Sequence, residues 1–173
     1  FGARPGDYDK VRQMGVDAWI DQQLHPEKIS DAAATQFVAQ LRTYLASPAE
    51  LEREYPRPQL AQQQMARART AADSMALRQE QRQDQQGARQ MVTDVQAARL
   101  GRAVVSERQL EEVMVDFWLN HFSVYLQKNQ QMRYHLASYD RDVIRPRVFG
   151  KFRDLLGAVA HSPAMLIYLD NAQ

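Results

Sequence analysis

Apolar side chains recur at helical spacing along most of this chain, and this periodicity argues against a sheet more strongly than any other feature. An early example is the set Phe37, Val38, Leu41, Tyr44 and Leu45, which follows the i, i+1, i+4, i+7, i+8 spacing of an amphipathic helix. No segment alternates apolar and polar residues in the way a half-buried strand does. The 7 glycines and 7 prolines fall at segment boundaries more than inside segments. The sequence therefore predicts an all-α fold.

Helix-start signals and apolar stripes place the later helices. Two segments have the capping-box sequence, Ser47-Pro48-Ala49-Glu50 and Ser106-Glu107-Arg108-Gln109. The second precedes a stripe made of Leu110, Val113, Met114, Phe117, Trp118 and His121. A further stripe consists of Phe149, Phe152, Leu155, Leu156 and Val159. Because both stripes are wide enough to need a partner helix, we expect five of their residues to be buried together: Phe117, Trp118, Phe152, Leu155 and Leu156.

Between about residues 59 and 101 the composition shifts to Gln, Arg and Ala. Residues 78–90 contain no large apolar side chain, so this stretch is either a solvated helix or disordered. We favour a long, partly exposed helix because its residues are good helix formers and proline is missing. Gly87 is its weak point, at about 1 kcal/mol relative to Ala. A thin apolar stripe (Met65, Ala68, Ala72, Met75, Met91, Val92 and Val95) fits either contact with another chain or an intramolecular strut.

The predicted architecture is an irregular multi-helix arrangement without internal repeats. We expect one helical domain over residues 1–173, with short helices in 1–58, the long polar helix in 59–101 and amphipathic helices in 102–173. Its 22 basic and 21 acidic residues give a net charge of +1. This is not the excess of basic residues typical of a nucleic-acid-binding domain, so no nucleic-acid partner is predicted. No apolar run approaches the roughly 20 residues of a membrane-spanning helix, so membrane insertion is not predicted. Cysteine is absent, which excludes disulfides and thiolate metal ligands.

Three neighbouring polar residues are the first candidates for a functional site. His121 lies three helical turns after Leu110 and projects from the apolar stripe, where it is either a metal ligand or proton carrier, or a hydrogen-bonded core histidine. Asp116 and Asn120 are four residues apart and share one helix face. They could hold a ligand, or they could make polar contacts between helices. No pair of histidines has metal-ligand spacing, so neither a complete metal site nor a cofactor is predicted.

Two further groups lie near the C-terminus. Asp170 and Asn171 follow the last helix and are either ligand groups or its C-terminal cap. Four basic residues, Arg145, Arg147, Lys151 and Arg153, form a short cluster that could bind an anion. The alternative is a solvated basic face paired with Asp140, Asp142 and Asp154.

Several separated segments, taken in order, resemble a known family. They are Phe117-Trp118-Leu119-Asn120-His121-Phe122, Ile144-Arg145-Pro146, Gly150-Lys151-Phe152-Arg153-Asp154-Leu155-Leu156, Ser162-Pro163-Ala164-Met165 and Tyr168-Leu169-Asp170-Asn171. This string resembles the bacterial domain of unknown function 1800 (DUF1800). The opening Phe1-Gly2-Ala3-Arg4-Pro5 and residues 15–24 also resemble it, more weakly.

The resemblance implies a helical and exported protein, hence a periplasmic or extracellular setting, but no established reaction. It also implies that this chain is the N-terminal part of a longer protein. Our leading functional hypothesis is a helical interaction or assembly module that binds a protein partner, either a second copy or the missing C-terminal part. The alternative hypothesis is the N-terminal part of a metal-assisted enzyme whose remaining site residues lie beyond Gln173.

Overall fold

The computed structural model describes residues 2–55 and 71–172, and within these ranges the chain forms helices and no strand. The N-terminal helices are α1 (Asp7–Met14), α2 (Val16–Leu24), a 3-10 turn (Pro26–Lys28), α3 (Ala32–Val38), α4 (Arg42–Leu45) and α5 (Pro48–Glu54). The later ones are α6 (Ala71–Val105), α7 (Gln109–His121), a 3-10 turn (Leu126–Lys128), α8 (Met132–Ser138), a π-helix (Tyr139–Ile144), a 3-10 turn (Arg145–Arg147), α9 (Phe152–Ala160) and α10 (Pro163–Tyr168). The all-α prediction, with one long Gln/Arg/Ala-rich helix, is confirmed.

The long polar helix α6 runs for 35 residues, from Ala71 to Val105. It therefore extends a few residues past the predicted end at residue 101. The boundary predicted between residues 58 and 59, and the first part of the predicted helix with Met65 and Ala68, fall on residues 56–70 and lie outside the described residues.

The second half of α6 packs inside the molecule. Met91, Val95 and Ala98 are buried, and the Asp94 carboxylate accepts hydrogen bonds from the backbone N and the Oγ1 of Thr43 at 3.0 and 2.6 Å. The Tyr55 ring lies so close to Gly87 that an added Cβ would stand 2.1 Å from it. Because Gly87 has no side chain, it leaves room for the Tyr55 ring, which explains why a residue of low helix propensity lies inside this helix. This half of α6 is an intramolecular strut.

Three buried apolar clusters hold the helices together. The largest joins α7, α8, the π-helix, α9 and α10; its members are Val115, Leu119, Met132, Tyr139, Ile144, Val148, Leu155, Val159, Ala164, Met165 and Ile167. A second cluster joins α3, α4, α6 and α8 through Val38, Tyr44, Val95, Ala98 and Ala137. The third consists of Leu51, Met91 and Tyr134. α6 contributes to two of the clusters and α8 to all three, so these two helices link the N-terminal helices to the C-terminal ones.

The two predicted capping boxes have different outcomes. Ser47 and Glu50 form the reciprocal hydrogen bonds of a capping box at the start of α5, as predicted. The prediction for Ser106 is wrong, because α7 begins later, at Gln109, without a side-chain cap. The Ser106 hydroxyl instead donates to Asp31 Oδ2 at 2.9 Å and accepts from the Arg108 backbone N at 3.0 Å. Ser106 therefore bonds to Asp31, the N-cap residue of α3, and does not cap α7.

The prediction of the core is correct for two of its five residues. Leu155 is 1% exposed and Trp118 is half-buried against the core, but Phe117, Phe152 and Leu156 are 53%, 54% and 44% exposed. The residues of α7 that do face the interior are Glu112, Val115 and Leu119, at i, i+3 and i+7. Because one of these three positions carries a glutamate, the apolar pattern indicated the neighbouring face of the helix.

Candidate functional site

A network of buried charges lies where α6, α7 and the π-helix meet. The Arg145 guanidinium donates two hydrogen bonds to Glu112, Nη1 to Oε1 at 2.7 Å and Nη2 to Oε2 at 3.0 Å. Arg145 Nε lies 3.7 Å from Asp140 Oδ1, and Arg99 Nε donates to Asp140 Oδ2 at 3.3 Å. The Glu112 and Asp140 side chains are 3% and 0% exposed. Carboxylates this deeply buried require charged partners, so the network is one interdependent unit.

The π-helix explains how Asp140 and Arg145 come to face each other. The Arg145 backbone N–H donates to the Asp140 carbonyl, which is the i→i+5 bond of a π turn. Residues five apart therefore lie one above the other, whereas in an α-helix they would point to different sides. π turns in proteins often mark functional sites. The wide turn here places a buried anion and a buried cation side by side.

The charges of the network act on one another and on Tyr44 of α4. Burial by itself lowers the pKa of Arg145, but the hydrogen bonds that Arg145 donates to Glu112 and the charge of Asp140 outweigh it and hold that pKa above its ordinary value. The Tyr44 side chain is fully buried. Burial raises the pKa of its hydroxyl to about 12, and the charge of Asp140 adds to the shift. Arg145 is thus cationic, and Tyr44 neutral, at every physiological pH.

Glu111 lies beside this network and provides a test of it. Burial raises its pKa above the ordinary 4.5, although the charge of Arg145 opposes the shift. The folded protein therefore keeps this proton to a higher pH than the unfolded chain does. As a result, Glu111 does not reduce the free energy of unfolding below about pH 4.5, and it reduces this free energy as the pH rises from there through the raised pKa. We expect Glu111→Gln to be more stable than the wild type near pH 7. We expect this advantage to vanish toward pH 4.5, as measured by urea unfolding across that range.

Glu27→Gln, at an exposed position, is the matched control for this experiment. It should change the free energy of unfolding little at any pH. An advantage of Glu111→Gln that does not depend on pH would show that the buried carboxyl group does not titrate as the structure indicates.

The structure brings Asp116 and Asn120 together at the exposed end of α7. Asn120 Nδ2 donates to the Asp116 backbone carbonyl at 2.9 Å and to its carboxylate Oδ2 at 3.2 Å. His121 is exposed rather than in the core. Its ring stacks on Phe117 with centroids 6.1 Å apart and meets the edge of Phe122 at 4.7 Å.

Asp170 and Asn171 form the C-terminal cap of α10. Asp170 has a left-handed backbone, with φ of 57°, and the Asn171 N–H bonds to the Leu166 carbonyl at 2.8 Å. With the Asp170 N–H bonded to Ile167, this is the Schellman pattern. The Asp170 carboxylate, which is exposed, accepts a hydrogen bond from Lys128 Nζ at 2.5 Å.

The four basic residues near the C-terminus do not form a single exposed face. Arg145 belongs to the buried network, and Arg147 Nη1 donates to the backbone carbonyls of Asp142 and Val143 at 2.7 and 2.8 Å. Lys151 and Arg153 are exposed on either side of Phe152. Sequence reasoning missed Glu112 as a site residue; its one signal was a charged residue in register with the apolar Val115 and Leu119.

Exposed and half-buried apolar and aromatic side chains lie side by side on α7, at Phe122 directly after it, and on α9. We call it the aromatic strip; it consists of Val113, Phe117, Trp118, His121, Phe122, Phe152 and Leu156. The Trp118 ring has Phe117, Phe122 and Phe152 at centroid distances of 4.9, 5.6 and 5.7 Å. Val113, Phe117 and His121 follow one another at four-residue spacing along α7, so they share a face. This strip is an apolar surface available for contact with another molecule.

Neither a metal-binding cluster nor a membrane-spanning helix occurs among the described residues. Among the described residues, no three His, Asp or Glu side chains come close enough together to hold a metal ion. The metal-assisted enzyme stays a prediction. No helix within residues 2–55 or 71–172 combines the length and the hydrophobicity that a membrane crossing requires.

Comparison with known proteins identifies a family. No curated protein and no solved structure is significantly similar to this chain. The model of one family, described as a protein of unknown function (DUF1800), matches residues 1–173, the whole chain. The motifs that carried the resemblance include Arg145 of the buried network and Phe117, Trp118, His121, Phe122 and Phe152 of the aromatic strip. The chain therefore belongs to the DUF1800 family.

Proposed function

We propose that this chain is a helical assembly module of an exported protein, and that its aromatic strip is the contact surface. The observation that carries the proposal is the exposure of Phe117 and Phe152, which are 53% and 54% accessible although their rings adjoin a packed cluster. Aromatic side chains are enriched in the centres of protein interfaces, and contiguous exposed apolar surface on a soluble domain marks such sites. The exported setting rests on the family resemblance.

The partner that the strip fits best is a second copy of the chain. Charges of both signs border the strip: Asp116 is exposed on α7, and Lys151 and Arg153 are exposed beside Phe152 on α9. A twofold axis along the strip would place the acidic border of one copy against the basic border of the other. The apolar residues would then be covered in the centre, with charged pairs at the rim.

Sedimentation velocity over a wide range of protein concentration tests this proposal. We expect the wild type to shift from monomer toward dimer as the concentration rises, because burying the strip removes apolar area from water. The double substitution Phe117→Ser and Phe152→Ser should remain monomeric. Leu100→Ser is the matched control: Leu100 is 69% exposed on α6 and is not part of the strip, so its loss should leave the dimer unchanged. A wild type that is monomeric at every concentration would refute self-association.

A further inference from the structure

A half-open cavity of about 540 Å³ lies between α1, α2 and the beginning of α7. Its apolar walls are Tyr8 and Val11 of α1, Trp19 of α2, and Leu110 and Val113 of α7. None of the residues of α1 is buried, so the apolar face of this helix stands over the cavity instead of over a packed core. The cavity is therefore the apolar environment that α1 faces.

The charged groups around this cavity are already paired with one another. Glu107 forms ion pairs with Arg4 at 2.9 Å and with Lys10 at 2.8 Å, and Arg4 also lies 3.5 Å from Asp7. Glu107 and Lys10 are 97 residues apart in sequence, so these pairs hold α1 across the start of α7. Both polar atoms of the buried Gln23 amide are hydrogen-bonded. Its Nε2 donates to the Glu107 carbonyl at 3.0 Å, and its Oε1 accepts from the Leu110 N–H at 3.1 Å.

We propose that this cavity binds an uncharged, largely apolar small molecule. Its volume falls in the range of about 300–1,000 Å³ typical of small-molecule sites, and such sites are lined mainly by apolar and aromatic side chains. The charged side chains that line the cavity already form ion pairs, so a charged ligand would compete with these pairs for a partner, whereas an uncharged one leaves all of them intact. Val113 lines this cavity and also belongs to the aromatic strip, but the two sites share no other residue, so each can be changed by substitutions that leave the other in place.

Titration with N-phenyl-1-naphthylamine tests the site, because this dye is apolar, uncharged and more fluorescent when shielded from water. We expect saturable binding of one dye per chain. Val11→Trp, which fills the cavity from α1, should weaken the dye's affinity at least tenfold. Met14→Trp is the matched control, since it adds the same ring to the same helix one turn later, at a residue that does not line the cavity. It should change the affinity less than twofold.

Three further measurements make the outcome decisive. 1-Anilinonaphthalene-8-sulfonate has the same rings with an added anionic group, so it should bind at least tenfold more weakly; equal affinity for the two dyes would overturn the uncharged specificity. Equal dye affinity of wild type and Val11→Trp, with far-ultraviolet circular dichroism confirming the fold of the variant, would overturn the site itself. The Phe117→Ser and Phe152→Ser double variant should bind the dye as the wild type does. Val11→Trp should sediment as the wild type does. Failure of the cavity proposal can therefore be distinguished from failure of the self-association proposal.

Discussion

Replacing Arg145 with alanine is expected to lower the free energy of unfolding by about 3–5 kcal/mol, the cost of removing one partner of a buried ion pair. The substitution leaves Glu112, which is 3% exposed, without the two hydrogen bonds it accepts from Arg145. It also removes the guanidinium that lies 3.7 Å from Asp140. Urea unfolding followed by circular dichroism measures the change.

Two controls separate loss of the pair from loss of any arginine in this region. Arg153→Ala removes the same side chain from an exposed position eight residues later, and it should change stability by about 0.5 kcal/mol or less. The double substitution Glu112→Met and Arg145→Met should cost less than the sum of the two single changes, since it leaves no carboxylate unpaired at position 112. Additive single effects would show that the two side chains do not interact as the structure indicates.

The helical architecture was predictable because it depends on local patterns that can be recognised directly in the sequence. Periodic apolar residues and the Ser47 capping box needed no knowledge of distant contacts. The Gln-rich segment was harder, since it lacks a wide apolar face. Its described part is held by contacts from other helices: Thr43 bonds to Asp94, and the Tyr55 ring packs on Gly87. Long-range contacts of this kind leave little trace in the local pattern.

The buried network could not be predicted from periodicity for a physical reason. A stripe of apolar residues indicates the interior face of a helix only when every interior position is apolar. On α7 an ion pair occupies one interior position, at Glu112, and the aromatic residues lie on an adjacent, exposed face. The four basic residues near the C-terminus did not indicate a buried site either. The π turn that carries Arg145 inward has no sequence signature of its own, so Arg145 could not be told apart from its exposed neighbours.

α7 therefore has two faces with different physical roles. One face, with Glu112, Val115 and Leu119, is buried and carries the ion pair that connects α7 to the π-helix and the following turn. The other, with Val113 and Phe117, is exposed and forms part of the aromatic strip. The ion pair and the packing of Val115 and Leu119 hold the same face of α7 inward, so the face with Val113 and Phe117 remains on the surface.

The adjacent leucines of α9 give a second large and matched effect. Leu155 is 1% exposed within the largest apolar cluster, whereas Leu156 is 44% exposed beside Phe152 on the aromatic strip. Leu155→Ala should lower the free energy of unfolding by about 2–5 kcal/mol, because it removes buried methyl groups and leaves a cavity in a packed core. Leu156→Ala makes the same chemical change one residue later, and it should cost less than about 1 kcal/mol in the monomer. Chemical unfolding at low protein concentration, where self-association does not contribute, measures both. Equal losses would mean that α9 presents a different face to the core, and that the aromatic strip is not the exposed surface described.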